Sequence, residues 1–293
     1  MTYSTGASFR RALEDRLRVQ SLQTGAPLVR LRKLVVFDRF LVRLTHDQPD
    51  AWVVKGGFAL QLRLGNRART TKDIDVLLTR PSADIHQSIV RAALLDVVDW
   101  FQFEVERPSD DLPVHEAGGT RLQVRGLLDG RRFETFHIDV ARGDALLEPV
   151  EILTTPALLA FAGIPPTEIP CYPLSLQVAE KAHAYTRPHP TGQSSRVKDL
   201  ADILLIAGLG PMDARTVRQA LEATFNGRKT HGLPLQLPDP PSTWSAPFRR
   251  LAGDVGLDYA TLSEASEAAR RFLDPMLRGE AAGTWMALIH SRL

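Results

Sequence analysis

Two aspartates one residue apart, in the stretch "TTKDIDV" at 70–76, are the first residues whose type and spacing suggest chemistry. Alternating strand side chains place Asp73 and Asp75 on one face and turn Ile74 and Val76 toward a core. Further along, "FHIDVARGD" puts His137 and Asp139 on one face and Phe136, Ile138 and Val140 on the other. If the two strands lie side by side, Asp139 joins Asp73 and Asp75. Three clustered carboxylates repel one another unless a cation balances them. Mg²⁺ is suited to that task, because it takes hard oxygen ligands and shares them between carboxylates and substrate phosphates. The expected metal ligands are therefore Asp73, Asp75 and Asp139, and the expected cofactor is Mg²⁺.

A glycine pair precedes the acids. "WVVKGG" at 52–57 reads as a short apolar strand that ends on Gly56 and Gly57, with "FALQLRL" continuing as a helix. A strand-to-helix turn without Cβ atoms admits a phosphate, and the helix N-terminus offers it amides and a positive dipole. Lys55 adds charge. The loop is neither a G-x-x-x-x-G-K-[ST] phosphate loop nor a dinucleotide fingerprint.

Other elements must position these residues. Helical periodicity covers 8–22 and 28–44, divided by "GAP" at 25–27. "SADIHQSIVRAALLDVVD" reads as a helix with Ser82 as its candidate cap. "FQFEVER", "TRLQVRGLL" and "RRFETFHIDVARG" alternate as strands. Strand signals fade after Glu151, and helical stretches with proline turns follow. The expected organisation is α/β (α+β): N-terminal helices and a mixed-sheet core over residues 1–150, then a helical C-terminal domain over residues 151–293.

The 293 residues carry 36 Lys and Arg against 34 Asp and Glu, a formal charge of +2, so the chain as a whole is no polycation. Its one cysteine permits no intrachain disulfide. No apolar run is long enough for a bilayer, and the start of the chain has no apolar signal core. A cytoplasmic, membrane-free protein is expected. Nine basic residues within 1–43 (Arg10, Arg11, Arg16, Arg18, Arg30, Arg32, Lys33, Arg39 and Arg43) are compatible equally with a basic surface for a nucleic-acid backbone and with a plain solvated pair of helices. No histidine shows metal-ligand spacing, so His137 and His183 read as ordinary polar or core residues.

"KGGFALQLRL…TTKDIDV" resembles the AbiEii/MenT-type nucleotidyltransferase toxins, within the DNA polymerase β-like nucleotidyltransferase superfamily. The shared pattern is a glycine turn, a D-x-D, and a later strand carboxylate. "QVAEKAHAYTR" and "RVKDLADILLI" resemble two further helices of that family. The resemblance implies a polymerase β-like core and transfer of NMP from an NTP with release of pyrophosphate. It also implies a toxin–antitoxin system with a cognate antitoxin, and the 3′ end of tRNA as acceptor. Lys181 becomes a phosphate-screening cation and Asp199 its orienting partner or a nucleotide contact. Without the resemblance, Lys181 reads as a solvated lysine paired with a neighbouring acid. Arg196 borders a polar loop within reach of a phosphate, and Asp202 reads as a surface residue. Transfer to a protein or small-molecule hydroxyl, or nucleotide binding without turnover, are the alternative readings.

Overall fold

A computed structural model of the chain describes residues 2–80, 84–106, 119–144, 146–188 and 196–285. It divides into two compact units. The first comprises Met1–Arg63, Thr70–Gly143 and Val150–Cys171, and the second Leu64–Arg69, Asp144–Pro149 and Tyr172–Leu293.

The first unit opens with helices α1 (Gly6–Thr24) and α2 (Leu28–Asp47). Thr5 caps α1 by accepting from the Ser8 amide, and the chain leaves that helix through Gly25. Pro27 then sets the entry to α2, as the "GAP" stretch leads one to expect. Strand β1 (Trp52–Lys55) runs into helix α3 (Gly56–Leu64), followed by β2 (Ile74–Leu78) and α4 (Ile85–Ala93). The cap of α4 is Asp84, which accepts from the Gln87 amide. Ser82, the candidate cap, lies outside the described residues. Strands β3 (Phe101–Val105), β4 (Thr120–Leu128) and β5 (Arg131–Arg142) follow. Asp129 and Gly130, with φ of 55° and 67°, join β4 to β5. Two positive φ values suit the right-handed twist of a hairpin, which explains an Asp-Gly pair there.

Two short strands appear where strand signals had faded: β6 (Glu151–Thr154) and β7 (Glu168–Cys171). They complete a seven-stranded mixed sheet in the order β3-β4-β5-β2-β1-β7-β6. Strand β7 pairs parallel to β1 and β6 antiparallel to β7, which places Val150–Cys171 in the first unit. Helix α2 packs against β5, and one face of the sheet closes a core with Phe37, Phe40, Phe58, Phe103 and Phe136 fully or nearly fully buried.

Most of the N-terminal cations form neither a basic surface nor a solvated face. Arg30, Arg39 and Arg43 are buried. Arg43 forks onto Asp99 at 2.8 and 2.9 Å, with both side chains sealed from solvent. Arg10 donates to the carbonyls of Leu128, Arg131 and Arg132, Arg32 to that of Phe133, and Lys33 to that of Thr135. Six of the nine cations thus hold α1 and α2 to the interior or to the β4–β5 hairpin. Arg11, Arg16 and Arg18 remain exposed.

The second unit is built from α5 (Leu174–Thr186), α6 (Val197–Ala207), α7 (Ala214–Arg228), α8 (Ser245–Val255) and α9 (Leu262–Arg278). A two-stranded ladder joins β8 (Met212–Asp213) to β9 (Thr284–Trp285). Thr261 caps α9 by accepting from the Glu264 amide.

Candidate functional site: a charged rung across four strands

Register builds the site. Asp75 on β2 lies opposite Asp139 on β5 in parallel pairing and opposite Lys55 on β1 in antiparallel pairing. Asp139 in turn lies opposite Arg121 on β4. Lys55, Asp75, Asp139 and Arg121 therefore form one rung across four neighbouring strands, with two acids between two cations. The rungs on either side point the other way. Val54, Val76 and Val140 form one, and Ile74, Ile138 and Leu122 the other; all six are buried. A period of two along each strand thus gives one apolar face and one charged face.

Asp73 precedes β2 on the charged face. His137 Nδ1 lies 3.2 Å from one of its carboxylate oxygens. Arg121 donates from one guanidinium nitrogen to Asp73 Oδ2 at 3.0 Å and from the other to Asp139 Oδ2 at 2.9 Å. Arg121 is the functional residue that sequence reasoning missed. It opens an evidently alternating strand, but only the pairing of β4 with β5 reveals which carboxylate it faces. His137, read as an ordinary polar residue, is also drawn into the site.

Gly56 sits against the acids. Its φ is 63°, and a Cβ built there would lie 2.0 Å from Asp75 Oδ2. A side chain at this position would collide with the carboxylate as well as strain the backbone. Gly56 and Gly57 begin α3, so the first amides of that helix open beside the acidic rung.

The donor set bears on which metal the site suits. Among the described residues, no group of three or more His, Cys, Asp or Glu side chains is arranged as a ready-made metal site. What is present is an in-register pair of carboxylates, a third carboxylate beside it, and a guanidinium spanning two of the three. Hard oxygen donors in this open arrangement fit a cation such as Mg²⁺, which completes its shell with water and substrate phosphate.

Lys181 and Asp199 lie in the second unit. Lys181 Nζ is 3.1 Å from Asp199 and 2.8 Å from Asp202, and Arg69 also reaches Asp202 at 3.1 Å. Burial disfavours the Lys181 charge, but Asp202 and Asp199 outweigh it and hold the pKa above the ordinary lysine value. Burial likewise opposes the Asp202 carboxylate, and Lys181 with Arg69 nevertheless depresses its pKa. The expectation that Asp202 is a surface residue is corrected: it is fully buried, because two cations neutralise it inside the helical unit. Lys181 is correspondingly ion-paired, with its side chain mostly withdrawn from solvent. Asp199 is buried too, and Arg196 lies 3.8 Å from it, with its own side chain largely open.

Residues 39–288 match the family model described as nucleotidyl transferase AbiEii toxin, Type IV TA system. A search of curated protein sequences found no match. Among solved structures, the chain is similar to MenT4, a nucleotidyltransferase toxin of Mycobacterium tuberculosis. The TM-score is 0.56 at 19% identity, covering 92% of this chain and 99% of that one. It is also similar to JHP933 of Helicobacter pylori, with a TM-score of 0.41 at 15% identity over 85% of this chain and 90% of that one.

Proposed function

The chain belongs to the AbiEii family of nucleotidyl transferase toxins, and from that premise we propose that it is a Mg²⁺-dependent enzyme that moves NMP from an NTP onto the 3′ end of tRNA. The observation that carries the reading is the rung of Lys55, Asp75, Asp139 and Arg121, with Asp73 beside it.

Asp73, Asp75 and Asp139 hold the metal. When bound, Mg²⁺ supplies charge stabilisation at the reacting phosphoryl group and brings the phosphates to the carboxylates. The chain's own residues do the remainder. Gly56 and Gly57 keep the approach to the carboxylates clear and present the amides of α3 to the phosphates. Asp139 takes the proton of the attacking hydroxyl at its carboxylate as the new ester bond forms at the α-phosphorus. The bond from that phosphorus to the β-phosphate bridging oxygen breaks, and pyrophosphate leaves. Lys55 adds positive charge beside the glycine turn. The family resemblance assigns Lys181 to the triphosphate and Asp199 to its orientation.

The acceptor rests on the family resemblance. Blocking the 3′ end of tRNA stops aminoacylation and hence translation, a fitting outcome for a toxin held in check by an antitoxin. Incubating the protein with tRNA, Mg²⁺ and each α-labelled NTP in turn tests the acceptor and donor together. Label at the tRNA 3′ end is the expected result. Label in protein or in a small molecule, with tRNA unlabelled, would overturn the acceptor while preserving the chemistry.

A further inference from the structure

Arg121 is a cation already seated where the proposed metal must bind. One guanidinium nitrogen holds Asp73 and the other Asp139, each through Oδ2. The second Asp73 oxygen faces His137. Asp73 thus has both oxygens engaged by neighbouring side chains in the free protein. Yet this bridge is not a sealed structural ion pair. The side chains of Arg121, Asp73 and Asp139 are 34%, 31% and 23% exposed, so the guanidinium has solvent to move into. The fork of Arg43 onto Asp99 in the same unit is sealed, whereas that of Arg91 onto Asp47 is, like this one, open to solvent on the guanidinium side. A half-solvated fork across two carboxylates is the kind that a divalent ion can break.

We propose that Arg121 is the resident counter-ion of the metal site. It keeps Asp73 and Asp139 together in the free protein and leaves them when metal and nucleotide enter. Metal binding is then an exchange of one cation for another. The freed guanidinium, which remains beside the rung, is available to the triphosphate that arrives with the metal. The inference rests on the reading of Asp73, Asp75 and Asp139 as metal ligands. It assigns Arg121 a positioning role that the metal-ligand reading alone does not require.

Direct titration of the nucleotide-free protein with Mn²⁺, followed by the electron paramagnetic resonance of free Mn²⁺, tests it. Arg121→Gln keeps a polar side chain and removes the charge. It is expected to bind Mn²⁺ about tenfold tighter or more than the parent, the order expected when a unit positive charge beside a divalent ion is removed. Without metal its melting temperature should fall, and saturating Mn²⁺ should raise it by more than it raises the parent's. Arg121→Lys keeps the charge but cannot fork across two carboxylates, so its affinity should lie between the two. If the glutamine variant does not fold, tightening in the lysine variant decides the matter. Asp75→Asn, which alters the third proposed ligand, should abolish Mn²⁺ binding in either background. Unchanged or weaker Mn²⁺ binding in both Arg121 variants, with Asp75→Asn still abolishing it, would overturn the role of Arg121 and leave the metal site standing. No Mn²⁺ binding by the parent, even with a non-hydrolysable NTP, would remove the metal site and this inference with it.

Discussion

Gly56 matters because of what a side chain there would displace. Its φ of 63° costs an ordinary residue about 1–2 kcal/mol, and its missing Cβ leaves room for the Asp75 carboxylate. Gly56→Ala is therefore expected to lower the melting temperature modestly and to reduce nucleotidyl transfer at least tenfold, because Asp75 must turn away. Melting curves and initial rates on the same preparation check this, and parental rates in a stable variant would contradict it. A second single-residue effect lies in the helical unit. Burial, with Arg228, His231 and other positive neighbours, depresses the His183 pKa to about 4. The unfolded chain takes up this proton near pH 6.5, while the native imidazole, which contacts Thr230 at 2.8 Å, resists it. Stability is accordingly fully present above about pH 6.5 and falls as pH drops toward 4, where the unfolded state binds more protons. Denaturant unfolding of the parent and of His183→Gln across that window should show a shallower slope in the variant. Equal slopes would contradict the assignment.

At the scale of elements, α2 is held by charge as much as by apolar packing. Arg43 is fully buried, forks onto Asp99, and donates to the carbonyls of Arg39, Leu95 and Phe101. Removing one partner leaves the other charge buried, a loss commonly of about 3–5 kcal/mol. Arg43→Ala should show that loss in denaturant unfolding, and a change under about 1 kcal/mol would mean the network is dispensable. This network also marks the limit of what was legible. The alternation of Asp73, Ile74, Asp75 and Val76 is local, and so is that of His137 to Val140, so the two charged faces could be read directly. That Asp75 and Asp139 stand in register, and that Arg121 closes the rung, depends on pairing between strands distant in sequence. The short β6 and β7 carry little periodic signal, and Pro170 inside β7 weakens it further. Arg30, Arg39, Arg43 and Asp202 were misread for a shared reason. A charged residue reads as solvent-facing until its buried counter-charge is known: Arg43 finds Asp99, and Asp202 finds Lys181 and Arg69, on other elements, while Arg39 pairs with Asp38 of its own helix.

At the scale of the molecule, the charge balance of +2 hides an uneven use of charge. Cations on α1 and α2 are spent on internal contacts, which leaves few to attract an RNA backbone from that surface. Acids are gathered at the rung of the first unit, and a separate pair, Asp199 and Asp202, holds Lys181 in the second. Among the described residues no helix is long and apolar enough to cross a membrane. The AbiEii family model spans residues 39–288, so it takes in nearly all the elements of both units, from α2 to β9. We propose that the carboxylates of the first unit carry metal-dependent nucleotidyl transfer. The most direct measurement is the initial rate of pyrophosphate release from NTP in the presence of tRNA, for the parent and for Asp75→Asn, over a series of Mg²⁺ concentrations. Losing one ligand removes several kcal/mol of charge stabilisation at the phosphoryl group, so the variant's rate should fall by about a thousandfold, and the parent's should vanish in chelator. A parental rate from folded Asp75→Asn, or transfer undiminished in chelator, would contradict metal-dependent transfer at these carboxylates.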